Sequence, residues 1–274
     1  MHKNLVVARV GEKSLHRGWL QNAKPDFDMV LLFYGAQVPD AWAADGLETY
    51  LVPGSKWQGI SRYLEVTSSW RDYDRVFFPD DDLVFDARAL NDFFEITYKM
   101  GADLSQPALD ARSYFAHPIT LRSPSFIARF TTFVELMCPC FSKRFLPITA
   151  PYFKETESCF GLDFYWAKLL RENGMTPPVI VDHVSVTHTR PVGSAGSGCT
   201  SGHNPDEDWR QFLTKYQITL SEPSVVGGFV NNELLTMREH SLPLKLKLVQ
   251  DVFAMTNMPD AQKFRFIAHL MAQT

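Results

Sequence analysis

Residues 73–85 read Tyr-Asp-Arg-Val-Phe-Phe-Pro-Asp-Asp-Asp-Leu-Val-Phe, and this stretch decides the fold. Val76, Phe77 and Phe78 have the look of a short buried strand, and Pro79 stops it. Three carboxylates follow where the strand runs out. In open α/β sheets that end of the strands is where ligands bind. Packed carboxylates repel one another and are best tolerated where a cation offsets them. Asp80 and Asp82 stand two apart, so in an extended segment they share a side and can reach one hard divalent metal, with Asp81 turned away. An acidic solvated turn would carry polar flanks, whereas these flanks are apolar.

Outward from the cluster, apolar runs at 5–10, 29–34, 49–52, 75–78 and 104–108 predict strands. Helical spacing predicts helices over 56–70 and 89–100. Alternating strand and helix argues for an α/β fold with a mostly parallel sheet flanked by helices. The second half is less regular. Helices are expected over 126–138, 159–170 and 206–216, with a strand starting at 178 and a helical tail over 242–274. Residues 192–204 hold seven Gly or Ser in thirteen and read as a mobile lid. The expected division is an α/β ligand-binding and catalytic unit over 1–205 and a helical extension over 206–274 packed on it.

Composition excludes several classes. With 45% apolar and 21% charged residues, the 274-residue chain is able to bury a sizeable core. A net charge of −4 without a Lys/Arg block argues against nucleic acid as a partner. The N-terminal apolar run is too short for a signal peptide. Four Cys do not make a disulfide framework at this length, so a reducing, cytoplasmic setting is expected. In the tail, Leu242 to Val249 interleaves Leu with Lys. Docking on the domain's own core and peripheral contact with anionic membrane both fit that pattern.

Three further constellations carry chemistry. Gly54-Ser55-Lys56-Trp57-Gln58-Gly59-Ile60-Ser61-Arg62 places Lys56 at a helix start, Gly59 one turn in and Arg62 beyond, a pattern suited to a diphosphate. Glu157 and Asp163 flank an aromatic-rich helix start, where a carboxylate can take a proton from a sugar hydroxyl or merely cap the helix. His183 and His188 flank an alternating strand; His188 offers the metal a third ligand, and Arg190 offers phosphate a cation.

Taken together, these residues resemble the GT-A-fold, Rossmann-like glycosyltransferases. Asp80-Asp81-Asp82 after Val-Phe-Phe is similar to their Asp-x-Asp motif, and Lys56, Gly59 and Arg62 to the helix that lines the nucleotide pocket. Gly161-Leu162-Asp163 resembles the later acidic motif, and His188 the C-terminal histidine of many members. More closely, Lys56-Trp57, Phe-Pro-Asp-Asp-Asp and Phe-Gly-Leu-Asp resemble the DUF707 family of bacteria and plants. The resemblance implies transfer of a sugar from a nucleotide-sugar donor to a glycan or lipid-linked glycan acceptor, as in polysaccharide biosynthesis. It implies Mn²⁺ or Mg²⁺ on Asp80, Asp82 and His188. It further implies nucleotide contacts from Arg9, Lys56, Gly59, Arg62, Asp81 and Arg190, and catalysis by Asp163 or Glu157. A Mg²⁺-dependent nucleotidyltransferase and a non-catalytic sugar-binding module are the alternatives; the first lacks a Gly-x-x-x-x-Gly-Lys phosphate loop.

Overall fold

The structure, a computed structural model, describes residues 3–43, 46–191, 204–231, 233–237 and 240–273. The expected lid, 192–204, lies outside the described residues except for Asn204. Strands are β1 (Asn4–Val10), β2 (Asp28–Phe33), β3 (Glu48–Leu51), β4 (Arg75–Phe77), β5 (Leu83–Val84), β6 (Leu104–Leu109), β7 (Ala128–Thr131), β8 (Cys140–Ser142), β9 (Val179–His188), β10 (Val225–Val230) and β11 (Glu233–Thr236). Helices are α1 (Asp40–Ala43), α2 (Lys56–Val66), α3 (Ala87–Lys99), α4 (Leu146–Thr149), α5 (Leu162–Glu172), α6 (Pro205–Lys215), α7 (Ser241–Ala254) and α8 (Asp260–Ala272).

One sheet runs in the order β11-β10-β7-β9-β6-β8-β4-β1-β2-β3, with β5 paired to β9. The expected α/β class holds, but the sheet is mixed. β1 to β4 pair in parallel, as do β6 and β9, while β8, β7, β10, β11 and β5 pair antiparallel. All seven residues of β1 are buried because both faces are covered. Its even positions, Val6, Ala8 and Val10, join Phe93 and Phe94 of α3 in one core. Its odd positions, Leu5 and Val7, join Trp57 and Ile60 of α2 and Trp166 of α5 in the other.

Three expectations are corrected. Residues 126–138 are not a helix: they hold β7 and the loop into β8. Ile127, Phe130, Phe133 and Met137 fit a helical period, but Phe126, Ala128 and Phe130 also alternate, and the tertiary partner decides. Arg129 enters the core to make a bidentate pair with Asp182 (Nε–Oδ2 2.7 Å, Nη2–Oδ1 2.9 Å), with both side chains almost fully buried. The helix from Lys56 stops at Val66 rather than Trp70, where β-branched Val66 and Thr67 meet two serines that favour turns. Trp70 instead sits in a 3₁₀ turn and donates to the Leu64 carbonyl (3.1 Å).

The region 206–274 is not helical throughout. β10 and β11 form a hairpin that extends the sheet, with Gly227 tight against the Leu235 carbonyl and Gly228 against the Phe126 ring. The tail breaks before Pro259 into two helices. Lys245 of α7 donates to the Met271 (3.0 Å) and Gln273 carbonyls at the end of α8, so the pair is an antiparallel hairpin. Leu244, Leu248, Val252, Phe266 and Leu270 are buried in the α3-side core, so the tail docks on the domain itself.

Candidate active site

The acidic stretch is held at the end of β4 by the neighbouring loop: Phe78 N donates to the Pro139 carbonyl (2.9 Å) and Asp80 N to that of Met137 (2.8 Å). The three side chains then reach different partners. Asp80 Oδ1 meets Lys56 Nζ at 2.6 Å. Asp81 is buried and accepts from Gly11 N (2.8 Å), Tyr34 Oη (3.3 Å) and Arg190 Nη1 (3.1 Å). Asp82, also buried, has Oδ2 at 3.3 Å from His188 Nε2. The short β5–β9 ladder, which pairs Leu83 with His188, makes that last contact.

His188 Nδ1 lies 2.8 Å from the Tyr114 carbonyl. A carbonyl only accepts, so Nδ1 carries a proton and Nε2 faces Asp82. Burial opposes charging of this imidazole, but Asp82 and the Tyr114 carbonyl outweigh it and raise its pKa. A divalent ion would take the place of that extra proton. Two ligands about 2.1 Å from one octahedral ion, at right angles, stand about 3 Å apart. The Asp82–His188 spacing fits that arrangement. Among the described residues no three His, Cys, Asp or Glu side chains gather as a ready cage. The donor set therefore suits a hard ion that keeps water and phosphate oxygens in its shell.

The basic residues divide into buried and accessible. Lys56 spends its ammonium on Asp80 and on the Leu136 (2.8 Å) and Met137 (2.9 Å) carbonyls, which makes it a brace for the Asp loop. Arg9 is buried and donates to the Val52 and Gly54 carbonyls; burial lowers its pKa to about 10. A Cβ at Gly59 would stand 2.6 Å from Arg9 Cζ, so Gly59 makes room for Arg9. Arg62, bound to the Pro53 carbonyl (2.7 Å), is exposed, and Arg190 is partly so.

The remaining acids lie on α5, on the loop before it and on the loop after β7. Gly161, at φ 92°, turns the chain into α5, and Asp163 in its first turn is buried. Burial raises the Asp163 carboxyl to about 7 against the opposing N–H groups of Phe164, Asp163 and Gly161. Glu157 lies upstream, in a loop that Asp208 of α6 pins through Thr156 Oγ1 (2.6 Å) and Ser158 N (2.8 Å). Sequence reasoning missed Glu135. Its N donates to Gln106 Oε1 (2.7 Å), and its buried Oε2 has no hydrogen-bond partner among the described residues. Burial, helped by the charges of Asp163 and Asp80 and opposed by His188 and Lys56, raises it to about 8. The sequence signal was an acid inside the apolar run Phe133-Val134-Glu135-Leu136-Met137. The fold thus gathers Lys56, Asp80, Asp82, Glu135, Asp163 and His188 in one neighbourhood, with Asp81 and Arg190 on its β1–β2 side.

Residues 2–132 match the family model described as Protein of unknown function (DUF707). No curated protein matches the sequence. Among solved structures, the chain is similar to S. aureus TarS (1–349) in complex with UDP-GlcNAc. The two share 13% identity and a TM-score of 0.52, over 99% of this chain and 72% of that one. TarS (1–349) without that ligand gives 10% identity and a TM-score of 0.50, over 99% and 71%. Glucosyl-3-phosphoglycerate synthase from Mycobacterium tuberculosis, in complex with Mn²⁺, UDP-glucose and phosphoglyceric acid, gives 14% and 0.49, over 86% and 89%. The chain therefore carries the fold of the GT-A glycosyltransferases, and its stretch 2–132 matches the DUF707 family.

Proposed function

We propose that the protein is a metal-dependent glycosyltransferase that moves a sugar from a nucleotide-diphosphate sugar to an acceptor hydroxyl. The observation that carries this reading is the juxtaposition of Asp82 and His188, spaced for one ion, with the buried acids Asp163 and Glu135. Asp82 and His188, with Asp80 beside them, would hold Mn²⁺ or Mg²⁺, which supplies charge neutralisation for the leaving diphosphate. Arg190, which also pairs with Asp81, and the exposed Arg62 would meet phosphate oxygens; Lys56 and Arg9 would keep the Asp loop and the α2 entrance rigid. Asp163 accepts the proton of the acceptor hydroxyl as that oxygen attacks the anomeric carbon. Glu135, protonated beside it, keeps the pair at a single negative charge.

The test is thermal protection by UDP and GDP with and without Mn²⁺. Protection that requires Mn²⁺ is expected, and Asp82→Asn should abolish it while leaving the melting temperature without ligand within a few degrees. Equal nucleotide protection in Asp82→Asn would sink this reading.

The finer part of the proposal is a lipid-linked glycan acceptor met at the cytoplasmic face of a membrane. No helix among the described residues is long and apolar enough to cross one. The α7–α8 hairpin, however, exposes Leu242 (62%), Leu246 (57%) and Phe253 (55%) along one side of α7, and Phe264 (62%) and Met271 (47%) seven apart on α8. The Phe253 and Phe264 rings, 6.4 Å apart, join the two stripes. The hairpin carries four Lys or Arg against two Asp in a chain of net charge −4. Such a surface suits anionic lipid. Phosphatidylglycerol vesicles should pellet the protein at low salt, phosphatidylcholine vesicles should not, and a Leu246→Glu, Phe253→Glu variant should stay in solution. Failure of the intact chain to pellet would remove membrane contact and leave the transferase reading untouched.

A further inference from the structure

A cleft of about 360 Å³ lies apart from the acidic cluster, between the end of β6, the turn after Leu121 and the end of α7. That size is in the range of small-molecule sites. Its apolar wall is Leu109, Leu121 and Met255, and its polar wall holds Asp110, Arg112, Arg122, Asp251 and Asn257.

Most of those charges are already satisfied. Arg112 grips Asp110 through Nε (3.1 Å) and Nη2 (2.6 Å). Asp251 accepts from Ser125 Oγ (2.8 Å) and N (3.2 Å). Two atoms groups remain. Arg122 uses Nε on the Asp182 carbonyl (2.9 Å), which leaves its terminal nitrogens as donors without a partner among the described residues. Asn257 turns Nδ2 toward the Ser113 carbonyl (3.5 Å), and its buried Oδ1 has no hydrogen-bond partner among the described residues.

This pattern selects the ligand. Two Arg and two Asp leave the lining without net charge. A carboxylate only accepts hydrogen bonds and would leave Asn257 Oδ1 unsatisfied, and either a carboxylate or a phosphate would bring negative charge beside two carboxylates. A hydroxyl both donates and accepts, so neighbouring hydroxyls on one ring can donate to Asn257 and accept from Arg122. The C–H face of a pyranose suits the Leu121 and Met255 wall.

The cleft also shares a wall with the site described above. The loop 110–114 wraps the end of β9: Thr187 Oγ1 donates to Asp110 (2.6 Å), His188 N to Ser113 Oγ (3.1 Å), and Tyr114 holds His188 through its carbonyl. We propose that this cleft binds an uncharged sugar ring of the acceptor, held by Arg122 and Asn257 against the apolar wall. Its assignment to the acceptor rests on the transferase reading; its preference for a neutral polyhydroxylated ring does not.

Saturation-transfer NMR with the methyl glycosides of glucose, galactose, mannose and N-acetylglucosamine tests the inference. At least one glycoside should bind the intact chain. Ala254→Trp, which fills the cleft from its rim, should abolish that binding. Asn257→Leu should weaken it about tenfold, the worth of one hydrogen bond of ordinary strength. Both variants should keep the melting temperature and the Mn²⁺-dependent protection by UDP. The proposal is overturned if no glycoside of the panel binds, if binding survives Ala254→Trp, or if inorganic phosphate displaces the glycoside. Loss of nucleotide protection with glycoside binding intact would overturn the transferase reading and leave the cleft as a sugar site; the reverse result would remove the cleft alone.

Discussion

Asp163→Asn should lower kcat by about 10² to 10⁴, the range lost with a general base, while leaving Mn²⁺-dependent affinity for UDP or GDP unchanged. The side chain sits at the start of α5, whereas Asp82 directly precedes β5 and His188 ends β9, so on the proposed reading the substitution removes the proton acceptor without touching the residues that would hold the ion. Asn is isosteric and keeps the contact with Phe164 N, at 3.0 Å from Oδ1. The pH profile supplies an independent check. A base works only when ionised, and burial holds this carboxyl at about 7 rather than at the ordinary 3.8. In the intact protein kcat should therefore rise as pH increases through about 7, and the residual rate of Asp163→Asn should lack that limb. An Asp163→Asn protein with ordinary kcat would place the base elsewhere and make Asp163 a helix-start residue only.

The parts of this arrangement that sequence made legible are those in which local chemistry and tertiary position agree. β1, β2 and β4 were legible because strands covered on both faces are continuous apolar runs. The Asp cluster stood out because three charges interrupt such a run. His188 was recoverable as a ligand candidate from the alternation along β9, although its partner Asp82 is more than a hundred residues away in sequence.

The roles of the basic residues were not legible. Lys56 at a helix start reads as a phosphate ligand, yet the fold brings two carbonyls from the 136–137 loop and Asp80 to its ammonium. Gly59 reads as part of a diphosphate pattern, and the space beside it is filled by Arg9. Glu135 was hidden by periodicity: the stretch around it fits a helix as well as a strand and a loop, and only the pairing of β7 with β9 and β10 decides between them. The β10–β11 hairpin escaped notice because Gly227 and Gly228 weaken the strand pattern, and their reason, close approach of Leu235 and Phe126, is tertiary.

Glu135→Gln should make the protein more stable than the parent at alkaline pH and reverse the order at acid pH. The carboxyl is buried, its Oε2 lacks a partner among the described residues, and burial lifts it from 4.5 to about 8. The folded state therefore binds this proton more tightly than the unfolded chain. That contribution to stability is complete below about pH 4.5 and is lost as pH rises through about 8. The difference corresponds to roughly 4–5 kcal/mol. Gln has no proton to lose, so its contribution stays flat across that window, at a cost of about 1–2 kcal/mol for a buried amide without new partners. Guanidinium unfolding at pH 5.5, 7 and 8.5 should show the two proteins crossing, with the variant ahead by a few kcal/mol at the highest pH. Parallel curves would mean that Glu135 is ionised in the folded protein at neutral pH, and the single-charge account of the acid pair would fall with it. A fold that tolerates so costly a side chain gains nothing in stability from it above about pH 8, which is why we propose that Glu135 serves the chemistry beside Asp163 rather than the core.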